Sequence, residues 1–237
     1  MENRHRRLYM PKTRQKRTRD PQQRRQELCD AAIQVLADEG AKGLSHIKVD
    51  RHAQKPDGTT SVHFRTRKAL IYAVAARVAE LDMREFVSAM DATHDAAGST
   101  DLMLSRLAEL AMKSAQEPAL SRTKARFELL MQAPRDPELM EIFRENTMRF
   151  AAMSLEAVGQ LQPADAGPDP ALINDQAFAI TTFIAGLQIG YVYGGERAVA
   201  SAEKIDGYLH AVIEGVANRH KKPASPRKAK GIVHVVH

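Results

Sequence analysis

The chain has no tryptophan, only five tyrosines and seven phenylalanines, and a single cysteine in 237 residues. One thiol closes no intrachain disulfide, so a stapled secreted fold is excluded and a reducing cytoplasm is the expected compartment. Long apolar runs are also missing. Residues Gln176 to Gly195 carry no charge, but Gln176, Thr181, Thr182, Gln188 and four glycines dilute the stretch. It reads as a buried interface helix and not as a membrane span. Charges run through the first 20 residues with no apolar core of the length a secretory signal needs, so export is not expected. Catalytic signatures are absent: there is no Gly-rich phosphate loop, nucleophile elbow, HExxH or CxxC pattern, and an enzyme is not expected. His46 and His52 face different sides of a helix, and no carboxylate or thiolate cluster joins them. No metal or cofactor is therefore expected.

What the chain does have is charge of opposite sign at different places. Residues 1–79 hold 18 Lys and Arg against 8 Asp and Glu, residues 80–218 hold 11 against 21, and residues 219–237 hold 6 against none. The overall +6 thus hides a basic end joined to an acidic body. A basic end attracts polyanions through phosphate neutralisation and counterion release, so double-stranded DNA is expected to dock on the N-terminal third.

Within that third, Ser45 to Leu70 reads SHIKVDRHAQKPDGTTSVHFRTRKAL. Ser45 is a good N-cap for a short helix through about Ala53, with Ile47 and Val49 inward. Pro56 disfavours helical geometry at Lys55, and Asp57 is positioned to cap a further helix through Thr59, Thr60 and His63. Two short helices across a tight turn fit a reader of the DNA major groove. Thr59, Thr60, Val62 and His63, preceded by Gly58, are candidate contacts to bases or phosphates. Arg67 and Lys68 open the next helix and are candidate phosphate contacts, as are Ser45, His46 and Lys48.

Helical periodicity covers the remainder. A first helix from about Gln22 carries Leu28, Ala32, Val35 and Leu36 on one face and stops at Gly40. A long helix from Arg67 has Leu70, Ile71, Val74, Val78 and Leu81 at helical spacing and ends near Met90. After a break at HDAAGST, Met103, Leu107, Leu110 and Ala111 form a stretch ended by Pro118, and Phe127, Leu130 and Met131 mark the next helix. Asp136-Pro137 and Asp169-Pro170 are paired start signals, the first opening a helix with Met140, Phe143, Phe150 and Val158 inward. The second opens a helix bearing Ile180, Phe183, Ile184, Leu187 and Tyr191 that ends at Gly194-Gly195. A last helix carries Ile205, Leu209, Val212, Ile213 and Val216. The expectation is an all-α chain of about nine helices. It divides into a basic arm (1–20), a three-helix helix-turn-helix DNA-binding domain (21–66), a helical effector-binding and dimerisation domain (67–219) and a basic tail (220–237).

Gln22 to about Ala79 resembles the N-terminal domain of the TetR family of one-component transcriptional regulators. The matching residues are Ala31, Ala32, Gly40, Val49, Ala53, Gly58-Thr59, His63-Phe64, Arg67, Lys68 and Leu70. Several identities depart from the family pattern: Asp50 stands for the usual Ala, Gln54 for a turn Gly, Ser61 for Tyr and Arg67 for Lys. The resemblance implies a homodimer joined through its last two helices, a palindromic operator and a small-molecule effector pocket in the middle helices. For that pocket Phe86, Met90, Met103, Phe127, Met131, Phe143 and Phe150 are the candidate lining. The implied function is a ligand-responsive regulator acting as a repressor. The rivals are a ligand-independent architectural DNA binder that lays both basic ends on the backbone, and a small-molecule enzyme that retains a basic arm.

Overall fold

Helix starts follow the capping chemistry of the sequence. The computed structural model describes residues 20–94, 100–160, 167, 169–194 and 201–221, the side chains of 92–94 excepted. The expected arm, the HDAAGST break, most of the 163–170 loop and the basic tail therefore fall largely outside the described residues. Among those described, the helices are α1 Pro21–Gly43, α2 His46–His52, α3 Thr59–His63, α4 Arg67–His94, α5 Thr100–Lys113, α6 Ala119–Leu130, α7 Pro137–Gly159, α8 Pro170–Tyr193 and α9 Ala202–Lys221. A 3-10 turn, Ala133–Arg135, precedes α7. Asp20, Asp136 and Asp169 each accept a hydrogen bond from a first-turn amide, with proline at the first helical position behind them. Proline there loses no hydrogen bond and is already set in helical φ. Gly194 ends α8 in the left-handed region at φ 66°, a conformation open to glycine at no steric cost.

Two apolar clusters hold the helices. The lower one gathers Leu28, Ala32, Ile33, Val35 and Leu36 of α1 with Leu44, Val49 and Phe64, and Leu70, Val74 and Val78 of α4. It is not closed by the first four helices alone, since Ala125 and Leu129 of α6, Ala133 and Leu139 also belong to it. The upper cluster joins Phe86 of α4 to Leu104, Leu107 and Ala111 of α5, Val158 of α7, Ala177 and Ile180 of α8, and Ile205 and Leu209 of α9. Polar ties brace the lower cluster. Arg77 of α4 grips Asp30 of α1 through two parallel bonds of 2.8 and 3.1 Å, the strong planar geometry for a guanidinium and a carboxylate.

Three details differ from the sequence reading. Ile47 was expected inward and is 50% exposed, while Val49 is fully buried; a seven-residue helix has one narrow inward face, and Val49 takes it. Met140 is 39% exposed and its neighbour Leu139 is buried, because α7 starts from the Asp136 cap in a register that turns Leu139 to the cluster. Asp57 does not cap α3, whose N-cap is Gly58 at φ 93°.

Gln54 occupies the left-handed region at φ 54°. Here α2 ends with Lys55 N–H on the Asp50 carbonyl at 2.8 Å and Gln54 N–H on that of Arg51 at 3.1 Å, a helix termination that favours glycine at this position. Gln54→Gly should therefore raise stability by about 0.5–1 kcal/mol, since the relief of left-handed strain exceeds glycine's entropy cost. A higher midpoint in thermal unfolding checks it, and an unchanged or lower midpoint would contradict it. Burial pushes the Cys29 thiol up to about 12 from 9.0, so the native thiol stays protonated and unreactive. The sign follows: an acid held neutral in the fold contributes stability below pH 9.0 that is lost as pH climbs towards 12. At pH 8 a thiol-alkylating reagent should modify Cys29 only at the rate of unfolding; rapid modification of native protein would rule this out.

Candidate nucleic-acid interface and body cavity

A helix of five residues, α3, makes too few internal hydrogen bonds to hold its own shape. Its first turn is held from α2. Asp50, fully buried, accepts from the Gly58 amide at 2.7 Å, from the Thr60 amide at 2.7 Å and from the Thr60 hydroxyl at 2.5 Å. One carboxylate thus satisfies two free amides at a helix start and a buried hydroxyl, which makes burial of its charge tolerable. At the other end, the Phe64 carbonyl lies 2.7 Å from His46 Nε2, the His63 carbonyl accepts from Arg25 at 2.5 Å, and the Arg25 guanidinium sits 4.3 Å from the Phe64 ring centre.

These contacts sort the expected DNA residues into two groups. Val62 is 80% exposed, Gly58 is exposed and His63 half-buried, so the outward side of α3 presents a β-branched methyl pair and a ring. Thr59 is half-buried, its hydroxyl donating to the Pro56 carbonyl at 2.7 Å. Ser45 caps α2 by accepting from the Lys48 amide at 3.4 Å. The second group is turned to other uses. Thr60 is fully buried and bound to Asp50, so its place is inside the head and not on a base edge. His46 braces α2 against the end of α3, and Lys48 pairs with Glu39. Arg67 donates to the carbonyls of Leu44 and Ala41, fastening the end of α1 to α4. Lys68 donates to Glu138 at 3.2 Å. Hydrogen bonds to Tyr72 and Glu138 hold its ammonium above the ordinary lysine range, a brace between α4 and α7. Arg51 and Arg65, not anticipated, are exposed and have no ion pair among the described residues; the signal that marks them is a cation flanking a short helix with no acid three or four residues away.

The body holds a cavity of about 340 Å³. Phe86 and Phe150 line it, with ring centres 4.9 Å apart, beside Leu107, Leu110, Ile180 and Ile184. Of the other expected lining residues, Met90 packs against the upper cluster and Phe143 against the lower one. Met103 is buried and Met131 is 74% exposed at the end of α6. Phe127 lies under the Arg126 guanidinium at 5.6 Å. None of these five touches the cavity wall. Its polar end was not foreseen. Arg122 of α6 reaches Asp82 at 2.7 Å and also Glu85, both on α4, while Arg126 reaches Asp82 at 2.7 Å and Gln188 of α8 at 2.6 Å. Lys113 also reaches Glu85, at 3.3 Å, so three cations meet two carboxylates there, and apolar walls meet a hydrogen-bonding end.

The described residues thus form a helix-turn-helix head joined by one long helix, α4, to a helical body with a cavity. Residues 103–214 match the C-terminal domain of BetI-type transcriptional repressors. No curated protein matches the chain in sequence. Among solved structures, a TetR-family member from Streptomyces coelicolor A3 is 24% identical, with a TM-score of 0.59 over 80% of this chain and 97% of its own. A Saccharomonospora viridis protein solved in complex with choline is 17% identical, at a TM-score of 0.65 over 81% of this chain and 96% of its own. The multidrug binding protein EbrR, complexed with ethidium, is 23% identical at 0.55 over 80% and 98%. The chain has the fold of the TetR family of transcriptional regulators, and residues 103–214 of its body are similar to the C-terminal domain of that family's BetI-type repressors.

Asp50→Ala would strand two amides and a hydroxyl in the head. At roughly 1–3 kcal/mol for a buried unsatisfied group, some of it recovered by water, a net loss of about 3 kcal/mol is expected. Asp50→Asn should also be deficient, because its amide brings donors to a place that already holds three. The double change Asp50→Ala with Thr60→Leu removes the stranded hydroxyl but leaves the two amides, so it should recover only about a third of the lost stability in denaturant unfolding; no recovery would show that the pair acts independently.

Proposed function

We propose that the chain is a homodimeric, cytoplasmic repressor that binds a palindromic operator and is released by a small-molecule effector held in the cavity. The observation that carries the reading is that α4 and α6 serve cavity and head together. At the cavity, Asp82 and Glu85 of α4 meet Arg122 and Arg126 of α6. Lower down, α6 places Ala125 and Leu129 in the head cluster, and its Glu128 accepts from the Ala41 amide at 2.9 Å, beside the break at Gly40. A ligand that inserts a polar group among the arginines competes with the α4–α6 pairs. The resulting shift of α6 is delivered to α1 and so to α3, favouring a state of the dimer with the wrong recognition-helix spacing.

Dimerisation is supported by an apolar face. Phe178, Ile189 and Tyr193 of α8 and Tyr208 of α9 are 72%, 44%, 83% and 52% exposed, and Asp175 is the only charged residue of α8. Two such faces across a two-fold axis form a four-helix contact and set two recognition helices on one side of a duplex. The apolar walls and the paired polar end of the cavity suit an apolar or aromatic effector with at least one hydrogen-bonding group. None of the described helices is long and apolar enough to cross a membrane. The cavity would have no role in a ligand-independent architectural binder.

Selection from random-sequence DNA should yield an inverted repeat, and footprinting should show one short symmetric site. Uniform coating with no preferred sequence would sink the reading. A compound found by thermal shift should erase that footprint, and Ser154→Phe, which projects a ring into the cavity from α7, should keep the footprint and lose the response.

A further inference from the structure

We propose that the body cavity takes an organic anion, a compound whose single carboxylate is received by Arg122 and whose apolar remainder lies against Phe86 and Phe150. The inference rests on the effector reading above and narrows that effector to one chemical class.

Hydrogen-bonding capacity at the polar end decides the sign of the ligand. Asp82 accepts from Arg122 Nε on Oδ1 and from Arg126 Nη1 on Oδ2, each at 2.7 Å. Glu85 accepts from Arg122 Nη2 on Oε2 and pairs through Oε1 with Lys113 at 3.3 Å. All four carboxylate oxygens are thus engaged, and the Gln188 side-chain carbonyl accepts from Arg126 Nη2 at 2.6 Å. A cationic ligand would find each strong acceptor already in use. Donors, by contrast, are in surplus. A guanidinium offers five N–H groups, and Arg122, although buried, directs only Nε and Nη2 to carboxylates; its Nη1 has no partner among the described residues. Three cations against two carboxylates leave one positive charge in excess, which a single carboxylate cancels while accepting charge-assisted bonds.

The rest of the wall agrees. The hydroxyls of Ser114, Thr123 and Thr181 donate to the carbonyls of Ala111, Ala119 and Ala177 on their own helices, so they are spent locally. Ser154 differs. It lines the cavity from α7, is 7% exposed, and its hydroxyl has no hydrogen bond among the described residues. A buried hydroxyl left without a partner is costly in a packed core, and this one marks a wall that a polar guest completes. Residues 80–218 are acidic overall, yet exposed charges are largely screened beyond about 8 Å in physiological salt. Among the described residues the charged side chains that line the cavity are Asp82, Glu85, Arg122 and Arg126, and both acids are held by the arginines. A volume of about 340 Å³ lies at the small end of ligand cavities, so the anion is a small one with a short chain or one ring.

Calorimetric titration of the full chain near neutral pH tests the class with two sets of probes: octanoate, octanamide and octylamine, and 4-phenylbutyrate, 4-phenylbutyramide and 4-phenylbutylamine. Within each set only the head group changes. The acid of at least one set should bind, about tenfold or more tighter than its amide and its amine. Ser154→Phe, which fills the cavity, should abolish that binding. Arg122→Gln should bring acid and amide level, and Arg122→Lys, which keeps the charge and loses the fork of donors, should retain part of the preference; melting curves establish that each variant is folded. Should Arg122→Gln fail to fold, the wild-type ranking and the lysine variant decide. Equal affinity for acid and amide, preference for the amine, no binding of either acid, or acid binding that survives Ser154→Phe would each overturn the anion site. The footprint separates this outcome from failure of the effector reading. An amide or amine that binds and erases the footprint would overturn the anion and leave the effector-released regulator standing. Acid binding that leaves the footprint intact would keep the anion site and remove the release.

Discussion

The head of this protein does not close its core alone. Its apolar cluster is completed by Ala125 and Leu129 of α6, by Ala133 and by Leu139 at the start of α7, so the packing of the first three helices depends in part on the body. This shared packing constrains the other contacts. The polar braces lie along the same seam: Glu128 on the Ala41 amide, Lys68 on Glu138, and the Tyr72 hydroxyl on Asp136 at 2.6 Å. The Tyr72 bond holds the Asp136 carboxyl below its usual range, so the cap of α7 and the tie to α4 are one ionised group. Close-packed interfaces move between discrete arrangements and do not deform smoothly. A shift of α6 therefore reaches α1 as a change of packing.

Most of the fold was legible in the sequence because its signals are local. Asp-Pro at two helix starts, Ser45 before α2, Gly194 after α8 and the apolar spacing of α1, α4 and α9 each depend on a few neighbouring residues. The inward set of α7 was misjudged by one position, since Met140 and Leu139 are both apolar and only the cap register distinguishes them. The site was less legible, because its chemistry is decided by partners distant in the chain. Arg67 and Lys68 have the right charge for phosphate, and nothing near them in sequence announces the Ala41 carbonyl or Glu138, 26 and 70 residues away. Thr60 has the right hydroxyl for DNA and spends it on Asp50; the one sequence hint is Asp50 itself, an acid where the resemblance to the TetR pattern implies alanine.

The cavity shows the same limit from another side. Counting Met and Phe identifies an apolar body, and it located Phe86 and Phe150. It does not identify which helix face meets the void, and Phe143, Phe127 and Met131 face elsewhere. The polar end escaped notice because Asp82, Glu85, Arg122 and Arg126 look like ordinary solvated helix charges. Arg122 is in fact only 7% exposed, and the carboxylates of Asp82 and Glu85 offset the cost of burying its guanidinium.

The Asp50–Thr60 contact also limits how this head can change over evolutionary time. Recognition helices are attractive units for exchange between regulators, since a few outward side chains set the sequence preference. Here the inward side of α3 is committed to a carboxylate on α2. An apolar residue in place of Thr60 would keep the two amide bonds to that carboxylate and remove the third, leaving one of its oxygens short of a donor in the dry interior. A change at one position calls for a compensating change at the other, so α2 and α3 form a matched pair and only the outward residues of α3 are free of that constraint.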